Sequence, residues 1–72
     1  MKNIIKIKIK VNGKIKIIKN NTKLSNLIKI LQIPVKKVAI ELNQEIVDKK
    51  NLEKIILKNN DKIEVVHFIG GG

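Results

Sequence analysis

From Ile5 the chain alternates one for one, with Ile5, Ile7, Ile9 and Val11 on one side and Lys6, Lys8 and Lys10 on the other. A period of two is the mark of a half-buried strand. Asn12-Gly13 comes next, and this dipeptide suits a type I′ turn, which needs positive φ at both central residues. The alternation then resumes with Ile15 and Ile17 against Lys14 and Lys16. A β-hairpin is therefore predicted over about residues 4–19. Its isoleucine face needs something to bury against, and its lysine rows form a solvated face that discourages edge-to-edge pairing.

The period changes after residue 20. Leu24, Leu27, Ile28 and Leu31 fall at i, i+3, i+4 and i+7, one face of a helix. Thr22 stands where an N-cap belongs, and Pro34 ends the helix because proline disfavours helical backbone in the residue before it. "VAIEL" (38–42) reads as a third strand, "NQ" as a turn and "EIV" (45–47) as a short fourth strand. "DKKNLEKIIL" reads as a helical turn and a loop whose Leu52, Ile55 and Leu57 plug the core. "NND" (59–61) has turn chemistry, and "KIEVVHFI" (62–69) is the last strand.

The predicted order is β-β-α-β-β-β in a single domain over 1–72. A right-handed crossover through the helix would lay the third strand parallel to a hairpin strand. The expected fold class is α+β: a mixed sheet of about five strands packed on one helix, the ubiquitin-like β-grasp architecture.

Composition changes this picture mainly by exclusion. A chain of 72 residues buries only about 60–65% of its unfolded surface, so a deep private active site is not expected. Without cysteine there is no disulfide, thiolate ligand or thiol nucleophile. His67 is the single histidine; nothing completes a triad or a metal site around it, and it reads as an ordinary strand residue. Glu41, Glu45 and Asp48 read as surface charges, so no catalytic residue and no metal is expected. "MKNIIKIKIK" lacks the apolar block of a secretory signal, and no stretch approaches the roughly 20 apolar residues of a membrane span. A cytoplasmic protein without a membrane partner is expected.

The net charge of +10 invites a polyanion reading. All 16 basic residues are lysine, however, and Phe68 is the lone aromatic. Arginine forks and aromatic stacking platforms, the usual readers of phosphate and bases, are missing. Nucleic acid is therefore the more distant alternative, as a basic RNA- or nucleotide-binding β-grasp module.

The sequence finishes "VVHFIGGG". Glycine is costly to order, so a glycine run directly after an apolar strand needs a purpose other than folding. The run cannot be a phosphate loop, because no helix follows to offer its N-terminus. "DKIEVVHFIGGG" together with "VAIELNQEIV" resembles the ThiS family, the sulfur carriers of thiamin biosynthesis. The helix spacing and the early "VNGK" turn add to the likeness, which covers essentially the whole chain. Asp48 and Lys49 depart from the proline and arginine more usual after "EIV", and Asn60 stands where a turn glycine is common.

The resemblance implies a substrate-like carrier and not an enzyme. A partner adenylates the carboxylate of Gly72, and a sulfur donor then displaces AMP to leave a thiocarboxylate. Gly70 and Gly71 thread the partner's site as a flexible tail. From the alternation of the last strand, Val66 and Phe68 share one face, opposite Ile63 and Val65. They are expected to form part of the docking patch, although Phe68 could equally belong to the core. The implied partners are an E1-like, ThiF-like adenylating enzyme, a ThiG-like thiazole synthase and a sulfur donor such as a cysteine desulfurase. ATP and Mg²⁺ belong to the adenylating partner, with no cofactor on the carrier, which is expected to be a monomer when free. A molybdopterin-type carrier or a ubiquitin-like modifier would use the same terminus.

Overall fold

A computed structural model describes residues 5–68. The elements are β1 (Lys6–Val11), β2 (Lys14–Lys19), α1 (Leu24–Ile30), β3 (Val38–Leu42), β4 (Glu45–Ile46) and β5 (Lys62–His67), with short 3₁₀ turns at Val35–Lys37 and Lys49–Asn51. They form one five-stranded mixed sheet in the order β2-β1-β5-β3-β4. This is the predicted β-grasp fold.

The hairpin forms as expected, with Asn12 at φ 50° and Gly13 at φ 82°. Its faces differ from the expectation. A two-residue turn pairs Val11 with Lys14, Ile9 with Lys16 and Ile7 with Ile18, and directly paired residues share a face. Ile7 and Ile9 are buried, so Lys14, Lys16 and Ile18 lie on the helix side of the sheet. Ile15 and Ile17 lie on the outer side with Lys10 and Lys8, and they are 58% and 59% exposed. The helix covers the other face of the sheet, and among the described residues no element covers the outer face at β2, so its isoleucine row stays exposed.

The helix buries Leu24, Leu27 and Ile28, as its spacing requires, and Leu31 packs at the core's margin. Its ends are set by other residues than predicted. Lys23 occupies the N-cap without a side-chain bond, while the Thr22 hydroxyl donates to the Lys19 carbonyl at 2.7 Å. The helix stops before Pro34 takes effect. Gln32 adopts φ 56°, its N–H donates to Lys29 C=O, and Ile33 N–H donates to Ile28 C=O. Those two bonds make a Schellman closure with glutamine in the left-handed position that glycine usually fills.

β3 runs parallel to the hairpin strand β2, as expected of the crossover, but it is not beside the hairpin: β5 enters between them, parallel to β1 and antiparallel to β3. The final strand is thus central, held on both flanks. Ile63 joins Ile9, Val38 and Ile40 in the core, and Leu52 and Leu57 close it from the loop, with Ile55 partly buried beside them. Each of these large side chains contributes about 1.5–3 kcal/mol by leaving water.

Candidate functional site

The candidate site is the end of β5, where the sheet leads into the glycine tail. Ile69, Gly70, Gly71 and Gly72 lie outside the described residues, so the roles expected of the three glycines concern a segment whose root alone is described.

That root is firmly seated. Val38 faces His67, Ala39 faces Val66, and the register runs on to Leu42 and Ile63. Beyond the strand, Phe68 N–H still donates to Lys37 C=O at 3.0 Å. Alternation along β5 buries Ile63 and leaves Val65 half-buried toward the helix, while Val66 and Phe68 point outward, 52% and 57% exposed. The structure therefore keeps Phe68 out of the core. Both residues expected to dock a partner lie on the outer face, beside Ala39 and with Ile46 farther along the same side.

Two features of this face were not anticipated. Lys49 places its ammonium nitrogen 5.4 Å from the centroid of the Phe68 ring, within cation–π range. The contact joins a loop to a strand end, and no local spacing announces it. Glu41 and Glu64 sit directly opposite one another on β3 and β5, an unfavourable like-charge pair. Of the other acidic residues considered, Asp48 accepts from Lys50 N–H at 3.1 Å and caps the 3₁₀ turn. Glu45 lies opposite Leu42 on the edge. His67 is exposed on the helix side of β5, away from Phe68.

The departures noted in the sequence have local explanations. Asn60 adopts φ 73°, the left-handed conformation that a turn glycine would supply and that asparagine tolerates better than most residues. Asp48 takes over the start of its turn through its side chain, and Lys49 becomes the cation over Phe68.

A helix clasped by a mixed sheet whose terminal strand lies at the centre defines the ubiquitin-like β-grasp class. Comparison with known proteins narrows it. Residues 9–72 match the ThiS family. The chain is 37% identical to the sulfur carrier protein ThiS of Bacillus subtilis, over 89% of this chain and 98% of that protein. It is 39% identical to a thiazole synthase of Magnetococcus marinus over 92% of this chain, yet it spans only 20% of that longer protein. Among solved structures, the thiamine biosynthesis protein ThiS from Geobacter metallireducens superposes with a TM-score of 0.81 at 26% identity, covering 92% of this chain and all of that one. The chain belongs to the ThiS family, the sulfur carrier proteins of thiamin biosynthesis.

Proposed function

We propose that this protein carries sulfur on the terminal carbon of Gly72 and delivers it to a thiazole synthase. A carboxylate is a poor electrophile, so the tail must first be activated. An E1-like adenylating enzyme, using ATP and Mg²⁺ at its own site, joins the Gly72 carboxylate to AMP and releases pyrophosphate. Free sulfide attacks the acyl carbon, AMP leaves, and a thiocarboxylate remains. Where the donor is a cysteine desulfurase, its persulfide's outer sulfur attacks and AMP leaves to give an acyl disulfide; a thiol then cleaves the S–S bond by disulfide exchange to release the thiocarboxylate. The carrier contributes no catalytic group to either step.

The observation that carries this reading is the placement of β5. The strand that leads to the glycines is the central one, paired with β3 as far as His67 and with β1 at its start, and presenting Val66 and Phe68 outward at its end. A strand seated in that way fixes the point on the globular body from which the glycines follow. Three glycines without Cβ atoms extend roughly 10 Å and can enter a channel that excludes the body. Ordering them costs about 1–2 kcal/mol per residue, which contacts at the exposed face offset. The choice of acceptor is supported by the thiazole synthase of Magnetococcus marinus, which includes a stretch like this chain within a longer protein.

Intact-mass measurement tests the reading. After incubation with a ThiF-like adenylating enzyme, ATP, Mg²⁺ and a sulfide source, the chain is expected to gain the mass of one oxygen-to-sulfur exchange, located at Gly72 by fragmentation. An unchanged mass, with the enzyme proven active on another carrier, would refute it.

A further inference from the structure

The two flanks of β5 are not equally closed. Phe68 N–H donates to Lys37 C=O and Asn43 N–H donates to Lys62 C=O. With the register between β3 and β5, these bonds turn the backbone groups of Lys62, Glu64, Val66 and Phe68 toward β3. The N–H and C=O groups of Ile63, Val65 and His67 therefore point toward the β1 flank.

On that flank the strand pairing ends at Val11 and Ile63. Asn12 then extends it by one step. Its own N–H donates to Ile63 C=O at 2.9 Å. Its side-chain oxygen accepts from Val65 N–H at 2.7 Å, and its side-chain NH₂ donates to Val65 C=O at 3.4 Å. The carboxamide thus does what the next residue of a strand would do. Beyond it, β1 has turned away into the hairpin. Among the described residues no group bonds the N–H or C=O of His67 on this side.

The surroundings of this open position are specific. A cleft of about 380 Å³ adjoins it, with apolar walls from Val11, Leu31, Ile33 and Pro34 and basic residues Lys14 and Lys16. The reversed facing of β2 brings those two lysines to the helix side. No aspartate or glutamate lines the cleft. An unpaired strand edge beside an apolar cleft is the arrangement that receives an added strand, with the backbone bonds giving affinity and alternate side chains filling the pockets. The uncompensated lysines select acidic side chains in that strand.

We propose that the β1-side edge of β5 at His67 is a strand-addition site for an extended, acidic segment of the adenylating partner. The segment pairs with the N–H and C=O of His67, sets an apolar side chain in the cleft, and places a carboxylate at Lys14 and Lys16. It would grip the strand immediately before the tail and so fix the tail's direction on entry to the enzyme. This inference rests on the carrier reading above.

Proline at position 67 is a selective probe. Among the described residues the His67 N–H has no bonding partner, and proline is tolerated in a strand where its missing N–H faces outward. Val66, before it, already has the extended backbone that proline demands of its neighbour. His67→Pro is expected to fold normally and to raise KM for adenylation roughly tenfold, the loss that one or two backbone hydrogen bonds entail. His67→Ala should raise it less, and Lys14→Glu with Lys16→Glu should raise it further at low salt. A wild-type KM in a folded His67→Pro chain would overturn the proposal.

Amide hydrogen exchange of the wild-type chain gives a second readout that needs no variant. The His67 amide should exchange quickly in the free protein, while that of Val65 is protected. It should become protected when the adenylating enzyme is added in excess. Continued fast exchange at His67 in the bound chain would overturn the proposal while leaving thiocarboxylate formation, and with it the carrier reading, intact. Failure of the bound wild-type chain to form any adenylate would instead strike the carrier reading.

Discussion

Lys49 stands over Phe68, with its ammonium nitrogen 5.4 Å from the ring centroid. The lysine belongs to a turn whose first residue, Asp48, caps it, and the phenylalanine is the last described residue before the tail. A loop far from the terminus in sequence thereby steadies the aromatic at the tail's root. At an exposed site such a contact contributes about 0.5–1 kcal/mol, enough to bias the ring's orientation without governing stability.

Phe68 is accordingly expected to matter for docking more than for folding. Phe68→Ala should leave the melting temperature close to wild type and raise KM for adenylation roughly 10–30-fold, the scale of a buried aromatic anchor at an interface. Lys49→Ala should raise KM by a smaller factor in the same direction. Steady-state pyrophosphate release measures both, and an unchanged KM for Phe68→Ala would remove it from the docking face.

The reversed facing of β2 can be tested by stability alone. Ile15→Thr and Ile17→Thr, at exposed outer positions, should each change the unfolding free energy by less than about 0.5 kcal/mol. Ile9→Thr, at a fully buried position, leaves a cavity and buries a hydroxyl, so it should cost roughly 2–4 kcal/mol. Urea unfolding of the three variants reads the difference. Comparable losses at all three sites would contradict the register.

Two glutamines occupy left-handed backbone that favours glycine: Gln32 at φ 56°, closing the helix, and Gln44 at φ 72°, in the turn after β3. Relief of the left-handed strain outweighs the extra freedom glycine gives the unfolded chain. Gln32→Gly and Gln44→Gly are each expected to stabilise by about 0.5–1 kcal/mol. Gly13→Ala, at φ 82° with open space around it, should destabilise by about 1 kcal/mol through backbone strain alone. Thermal unfolding followed by circular dichroism checks all three.

The Asn12 carboxamide offers a graded test. Asn12→Ala removes both side-chain bonds to Val65 and should cost roughly 1–2 kcal/mol. Asn12→Asp keeps an acceptor for the Val65 N–H and should cost less. Equal losses would mean that the turn conformation of Asn12, and not its bridge to β5, is what stabilises the fold.

Much of the fold could be read directly from the chain, because local physics determines it. The Asn-Gly turn, the four-residue helix stripe and the alternation of β1 each depend on neighbours a few positions away. What failed depends on distance or parity. The isoleucine row of β2 looks like a second core face until the two-residue turn is counted through, since Val11 opposite Lys14 fixes which side each residue takes. The insertion of β5 beside β1 depends on a pairing between ends of the chain that no local pattern encodes. Thr22 was a plausible cap by type, yet its hydroxyl found the nearer carbonyl of Lys19. At the site, the exposure of Val66 and Phe68 follows from the alternation of β5. The contact with Lys49 and the open edge at His67 emerge only from tertiary packing.

The central claim is that the Gly72 carboxylate is the reactive group. The most direct measurement is thiazole formation in a reconstituted system in which this chain is the sole sulfur carrier. The wild-type chain is compared with one extended by a single alanine after Gly72. The wild type should support product formation, and the extended chain, its glycine carboxylate now an amide, should support none. Thiazole formed at the wild-type rate by the extended chain would contradict the account.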